Sequence, residues 1–265
     1  MRRQCDINDP HVERLYYRLV SKETITYDDP QPIEREADAF RMRLHDGKVI
    51  FEMKEHFATE KKAREAVEDY LMAWEIYTNI QSGHNAIRFE FERADVIDRS
   101  PTPGVLSVSG CSHSHSIAGR ATIRVTCKEY PAPPEGFMVD SDVESIWNRY
   151  VQYKKGREPL LPMANFCLTV LEYSTGERRQ LRRKAAKKYN IDYDVLDMLG
   201  KLAATRGSEL EARKGQPDNQ YEELTSAERI WLEAVIKAFI RRAGECAARP
   251  TVEFKQITMA DFPKL

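Results

Sequence analysis

Two stretches of this chain carry side chains whose types and spacing could do chemistry. In GCSHSHSIAG, Cys111, His113 and His115 stand at every second position. An extended segment would therefore project all three from one face. A thiolate and two imidazoles are three of the four ligands a tetrahedral zinc site needs. The fourth is missing locally, and only folding could bring His84 or Cys127 to it. The intervening serines supply neither an apolar shell nor a carboxylate to orient the imidazoles. We expect a polar connection that binds no metal, and the sequence calls for no cofactor. His113 and His115 also lack a neighbouring carboxylate or nucleophile for acid–base work.

The second stretch is ERRQLRRKAAKKYN, residues 177 to 190, in which seven of fourteen residues are Arg or Lys: Arg178, Arg179, Arg182, Arg183, Lys184, Lys187 and Lys188. Read as a helix, Arg178 and Arg182 align along one line and Arg179, Arg183 and Lys187 along another. Charge then covers most of the circumference. Leu181, Ala185 and Tyr189 leave a narrow apolar seam for docking. Such a helix can present several cations to a phosphate backbone, with an affinity that falls as salt rises. The competing reading is a solvated surface helix balanced by Asp192, Asp194, Asp197, Glu209 and Glu211. No RNA-recognition signature accompanies the stretch, and no aromatic residues interleave its cations for base stacking. A third segment, AATRGSELEARKG at 203 to 215, places Arg206-Gly207 at a helix end. Arg206 and Arg213 would extend the basic surface.

The familiar catalytic signatures are missing. The sequence contains no GxxxxGK[ST], no GxGxxG after a strand, no HExxH and no GxSxG. Binding is therefore expected over catalysis. The alternative is an enzyme, either a metal-dependent hydrolase around Cys111, His113 and His115 or a diverged nuclease.

The elements that must position these residues fall into two halves. In RMRLHDGKVIFEM, Asp46-Gly47 separates two apolar-rich runs, which predicts a hairpin whose turn needs positive φ. Ala63, Ala66, Val67, Tyr70, Leu71, Trp74 and Tyr77 then recur at three- and four-residue steps, predicting a helix over 60–80. AIRFEFER alternates strictly, GVLSVSG reads as a short strand, and ATIRVTCK alternates with Ala121, Ile123, Val125 and Cys127 inward. One-sided burial of this kind belongs to antiparallel sheets.

Three prolines and a glycine in PAPPEGF, residues 131 to 137, end that pattern. We place a domain boundary there, giving a sheet-plus-helix domain over 1–135 and a helical domain over 136–265. The second half reads as helices. Ser141 with Glu144 and Thr225 with Glu228 are capping boxes. Pro159 to Tyr173 is an apolar helix, Asp192 to Arg206 another, and the helix opened by Thr225 runs to about Ala247. Its inward face is expected to be Ile230, Trp231, Ala234, Val235 or Ile236, Ala238 and Phe239. TVEFKQIT reads as a weak final strand. The fold class is α+β, with a mainly antiparallel sheet and one long helix followed by a helical bundle.

Bulk composition fits this. The 265 residues are 42% hydrophobic and 31% charged, which suits globular domains able to bury cores. The net charge of −1 gives no global pull toward nucleic acid or membrane. No run of eighteen apolar residues exists and MRRQCDINDP has no apolar leader core, so the expectation is a cytoplasmic protein without a membrane partner. Five scattered cysteines with no CxxC read as reduced thiols, mostly buried.

The helical half, from about Leu160 to Ala247, resembles the HEPN-type helical domains of prokaryotic defence and toxin proteins. The pattern is an apolar helix (LLPMANFCLTVLEYS), a basic helix, an LxxLGxLxxTRG-like helix end and a final helix with WLEAVIKAFIRR. Active members cut RNA with an Arg followed after four to six residues by His. Here the corresponding helix end reads RGSELEARK, with Arg206 present and His absent. The resemblance thus implies the fold and RNA association without cleavage. The resulting expectation is a binding or sensor module, of a bacterial antiviral-defence complex, whose basic helix meets nucleic acid or an acidic protein surface.

Overall fold

The computed structural model describes residues 9–99, 107–110 (backbone), 125–207 and 222–265. The chain divides into two compact units, Met1–Pro134 and Glu135–Leu265, and its class is α+β.

The first unit is built on strands β1 (Pro10–Ser21), β2 (Ile25–Tyr27), β3 (Ile33–Glu36), β4 (Phe40–His45), β5 (Lys48–Met53), β6 (Ile87–Asp98), β7 (Ser107–Gly110) and β8 (Val125–Cys127), with helix α1 (Glu60–Ser82) between β5 and β6. Six strands form an antiparallel sheet in the order β3-β4-β5-β1-β6-β7. The β4–β5 hairpin turns on Asp46 and Gly47, at φ of 50° and 67°. Consecutive positive φ values give the turn whose twist matches the flanking strands. Along β4 burial alternates residue by residue, with Phe40, Met42 and Leu44 inward. Thr59 caps α1 by accepting a hydrogen bond from the Lys62 backbone N–H. Ala63, Val67, Leu71 and Trp74 of α1 join Leu15, Tyr17, Met42, Leu44 and Phe51 in one core. The indole of Trp74 donates to the Pro131 carbonyl at 2.9 Å, so its polar edge is satisfied.

The central strand of this sheet, β1, is absent from the sequence-based expectation. It pairs with β5 on one side and β6 on the other. Its register against β6 shifts between Val12 and Arg14 and again between Tyr16 and Tyr17. Such bulges break the two-residue period by which a strand is recognised.

The expected inward-facing strand ATIRVTCK also needs correction. Only Val125–Cys127 is a strand among the described residues, and it pairs in parallel with β2 rather than joining the large sheet. Val125 is 53% exposed. Ala121 and Ile123 lie outside the described residues.

In the described part of the second unit the helices are α2 (Ser141–Lys154), α3 (Leu160–Tyr173), α4 (Leu181–Tyr189), α5 (Tyr193–Thr205) and α6 (Ser226–Ala248). Helix α2 is capped by Asp140, whose carboxylate accepts from the Val143 N–H at 2.8 Å. The box expected at Ser141 and Glu144 is displaced, because a carboxylate one residue earlier reaches the same row of free amides. The box at Thr225 and Glu228 is formed.

Helix α6 buries Trp231, Leu232, Val235, Ile236, Phe239 and Ile240. Ile230 lies outside that stripe and is 58% exposed, against expectation. Gly244 is required by packing: a Cβ there would stand 2.2 Å from the Phe137 ring. The tail forms no strand. Its one ladder-like contact is the clasp of Ile257, whose N–H donates to Asn190 O at 3.0 Å and whose carbonyl accepts from Asp192 N–H at 2.8 Å. Among the described residues no helix is long and apolar enough to cross a membrane.

Candidate functional site

The basic stretch is shorter as a helix than its sequence implied. Helix α3 ends at Tyr173, a turn with Gly176 at φ 71° follows, and Gln180 adopts a left-handed conformation at φ 53° before α4 begins at Leu181. Arg178 and Arg179 therefore lie in the α3–α4 connection, and the alignment of Arg178 with Arg182 along a helix does not exist. Asn190, also left-handed at φ 46°, closes α4. Ala185 and Tyr189 are buried and Leu181 half-buried, so the narrow apolar seam is the docking face. The Tyr189 hydroxyl lies 2.7 Å from Ser174 Oγ, and burial pushes its pKa up to about 12.

A buried arginine fixes the far end of α4. Arg242 of α6 is 4% exposed. It donates to the carbonyls of Tyr189 at 2.6 Å, Asn190 at 3.1 Å and Lys255 at 2.7 Å, and to Glu245 at 3.1 Å. A cation on the last carbonyls of a helix satisfies orphan acceptors and complements the dipole. The sequence reading missed it. The signal was there, since Arg242 follows Val235 and Phe239 at helical spacing on the inward face of α6.

The seven cations separate into two groups. Arg182, 30% exposed in its side chain, donates to Glu172 on α3 and Asp197 on α5, each at 3.0 Å. Its guanidinium lies against Gly200, where a Cβ would come within 2.8 Å. Lys201 shares Asp197 at 2.9 Å. Hydrogen bonds from Lys201 and Arg182 hold the Asp197 carboxyl below the usual range. Lys188 donates to the Ser174 carbonyl at 2.8 Å and lies over the Tyr189 ring. Lys184 pairs with Glu177 at 3.3 Å. These three tie α4 to its neighbours.

Arg178, Arg179, Arg183 and Lys187 are exposed and form no ion pair or hydrogen bond with any described residue. Arg183 does lie over the Tyr193 ring, at 6.0 Å. Tyr193 is 40% exposed, and Tyr173 at the end of α3 is 66% exposed. Tyr193 thus adjoins one of these cations through folding rather than through sequence order. The first turn of α4 contains no acid, and Gln180 gives no side-chain cap. Its leading amides and the positive end of its dipole remain available to an anion.

Arg206 belongs to a different structure. It ends α5 and donates to Glu228 at 2.9 Å while also pairing with Glu222. Burial opposes ionisation of Glu228, but the Thr225 N–H and the Arg206 guanidinium outweigh it and hold its carboxyl below the usual range. Arg206 thus anchors the start of α6 instead of extending the basic surface. Arg213 lies outside the described residues, as do Cys111, His113 and His115. Among the described residues no group of three His, Cys, Asp or Glu could hold a metal. Cys167 is fully buried, donates toward Met163 Sδ at 3.6 Å, and has its thiol pKa pushed far up by burial. No protein-family model matches the chain, and no curated protein or solved structure matches it either.

Proposed function

We propose that the C-terminal unit is a cytoplasmic, non-enzymatic binding module that meets an anionic partner through Arg178, Arg179, Arg183 and Lys187. The observation that carries this reading is the division of the basic segment. Arg182, Lys184 and Lys188 are used to fix α4, while the four remaining cations face solvent without a described acidic partner. Arg178, Arg179 and Arg183 crowd beside the positive end of α4, where like charges repel one another. An arriving polyanion relieves that repulsion and releases its own counterions. The partner class is a nucleic-acid backbone or an acidic protein surface, within the defence setting that the HEPN resemblance implies. Arg206 serves α6 and has no part in cleavage.

Fluorescence anisotropy of a labelled oligonucleotide tests the reading. Wild-type protein is expected to bind, and an Arg178→Glu, Arg179→Glu double variant to lose binding while melting normally. Undiminished binding by that variant would remove the segment from the interface.

A further inference from the structure

The six-stranded sheet of the first unit packs α1 on one face only, and its other face carries an organised hollow. Cross-strand register sets two lines of side chains there. One runs Tyr16, Ile50, Arg43, Glu34 across β1, β5, β4 and β3. The next runs Arg14, Glu52, Arg41, Glu36. Ile50 is the short member among long neighbours. They stand around it as walls and leave a hollow of about 350 Å³, within the size range of small-molecule sites.

The walls bring three guanidinium groups, Arg14, Arg41 and Arg43, against two carboxylates, Glu34 and Glu52. Their pairing is loose. Arg14 approaches Glu52 at 3.4 Å and Arg43 approaches Glu34 at 3.5 Å, while Arg41 reaches Glu36 at 3.7 Å. Engaged guanidinium–carboxylate contacts close to about 2.7–2.9 Å. Arg14 Nε is also shielded from solvent without a hydrogen-bond partner. Tyr16 is held in place: its hydroxyl donates to Asp95 at 2.7 Å, its oxygen accepts from the Arg14 side chain, and the Arg93 guanidinium sits 3.7 Å from its ring centroid. Tyr16 is therefore a fixed wall that also orients Arg14, while both Arg14 and Arg43 remain only loosely paired with their carboxylates.

We propose that this hollow binds a phosphate-bearing small molecule of mononucleotide size. The phosphate takes the forks of Arg14 and Arg43, whose planar donors match two oxyanion oxygens. The planar body covers Ile50, and its hydroxyl or amino donors meet Glu34 and Glu52. The site lies in the first unit and is independent of the basic segment of the second.

Calorimetric titration of the full chain with AMP and, separately, with adenosine tests this. AMP is expected to bind, and adenosine to bind at least about tenfold more weakly for want of the charge-assisted bonds. Arg14→Gln and Arg43→Gln should each weaken AMP by about tenfold. Ile50→Trp, which fills the hollow from its floor, should abolish binding, and Arg178→Gln should leave it unchanged. All four positions face away from the core, and a thermal melt establishes that each variant is folded. The proposal is overturned if AMP fails to bind at roughly millimolar levels. It is equally overturned if adenosine matches AMP, or if folded Arg14 and Arg43 variants bind as well as wild type.

Discussion

The Arg182 guanidinium lies 3.0 Å from the Asp197 carboxylate and directly over Gly200 of the same helix, where no side chain obstructs it. This relationship turns one of seven neighbouring cations into a structural member. It predicts that Arg182→Gln costs about 1.5–3 kcal/mol, the usual scale for hydrogen bonds to charged groups. Arg178→Gln and Arg179→Gln, at exposed positions away from such features, should stay within about 0.5 kcal/mol. Urea denaturation of the three variants reads the difference, and equal costs would deny the division.

Gly200→Ala probes the same contact from the other side. Replacing a helix-interior glycine by alanine ordinarily gains about 1 kcal/mol. Here the new Cβ would press on the Arg182 guanidinium, so the gain should be absent in the wild-type background. It should reappear once Arg182 is Gln. A double-mutant cycle with no coupling would show that the guanidinium does not rest on α5.

Glu75 of α1 accepts a hydrogen bond from the Phe89 backbone N–H, and burial pushes its pKa up to about 7 from 4.5. The folded state thus holds this proton more tightly than the unfolded one. The stability it contributes is complete below pH 4.5, falls as pH rises to 7, and is lost above. Glu75→Gln keeps an acceptor for Phe89 without the charge. It should stabilise the protein at pH 8 by about 1–3 kcal/mol and have little effect near pH 4. A gain independent of pH would refute this account.

Arg206→Ala is expected to act on folding. It leaves Glu228, 7% exposed, without its guanidinium partner, a loss of about 1–3 kcal/mol. Because Glu228 is held below its ordinary pKa, its own contribution is present above pH 4.5 and fades as pH falls below it. The wild-type protein should leave RNA uncut. Cleavage that disappears in a folded Arg206→Ala protein would reveal catalysis at this helix end.

Much of this architecture was legible in the sequence because local signals agreed with burial. The Asp46-Gly47 turn, the three- and four-residue recurrence from Ala63 to Trp74 and the Thr225–Glu228 box each specify one structure. What escaped was set by distant partners. Strand β1 is central, yet two register shifts against β6 disrupt its alternation. Charge count alone could not separate Arg182 from Arg178, since the distinction depends on Glu172, Asp197 and a missing Cβ at Gly200. Nor could sequence order show that Tyr193 would adjoin Arg183. The hollow on the sheet required the register of four strands at once.

The central claim is that Arg178, Arg179, Arg183 and Lys187 form the contact surface, whereas Arg182 supports it. The most direct measurement is the slope of log affinity against log salt for a single-stranded oligonucleotide. Each lost phosphate contact removes about 0.7 from that slope, so substituting all four by Gln should flatten it by about 3. Arg182→Gln alone should leave it unchanged. A slope that persists in the fourfold variant, or flattens on loss of Arg182, would contradict the account.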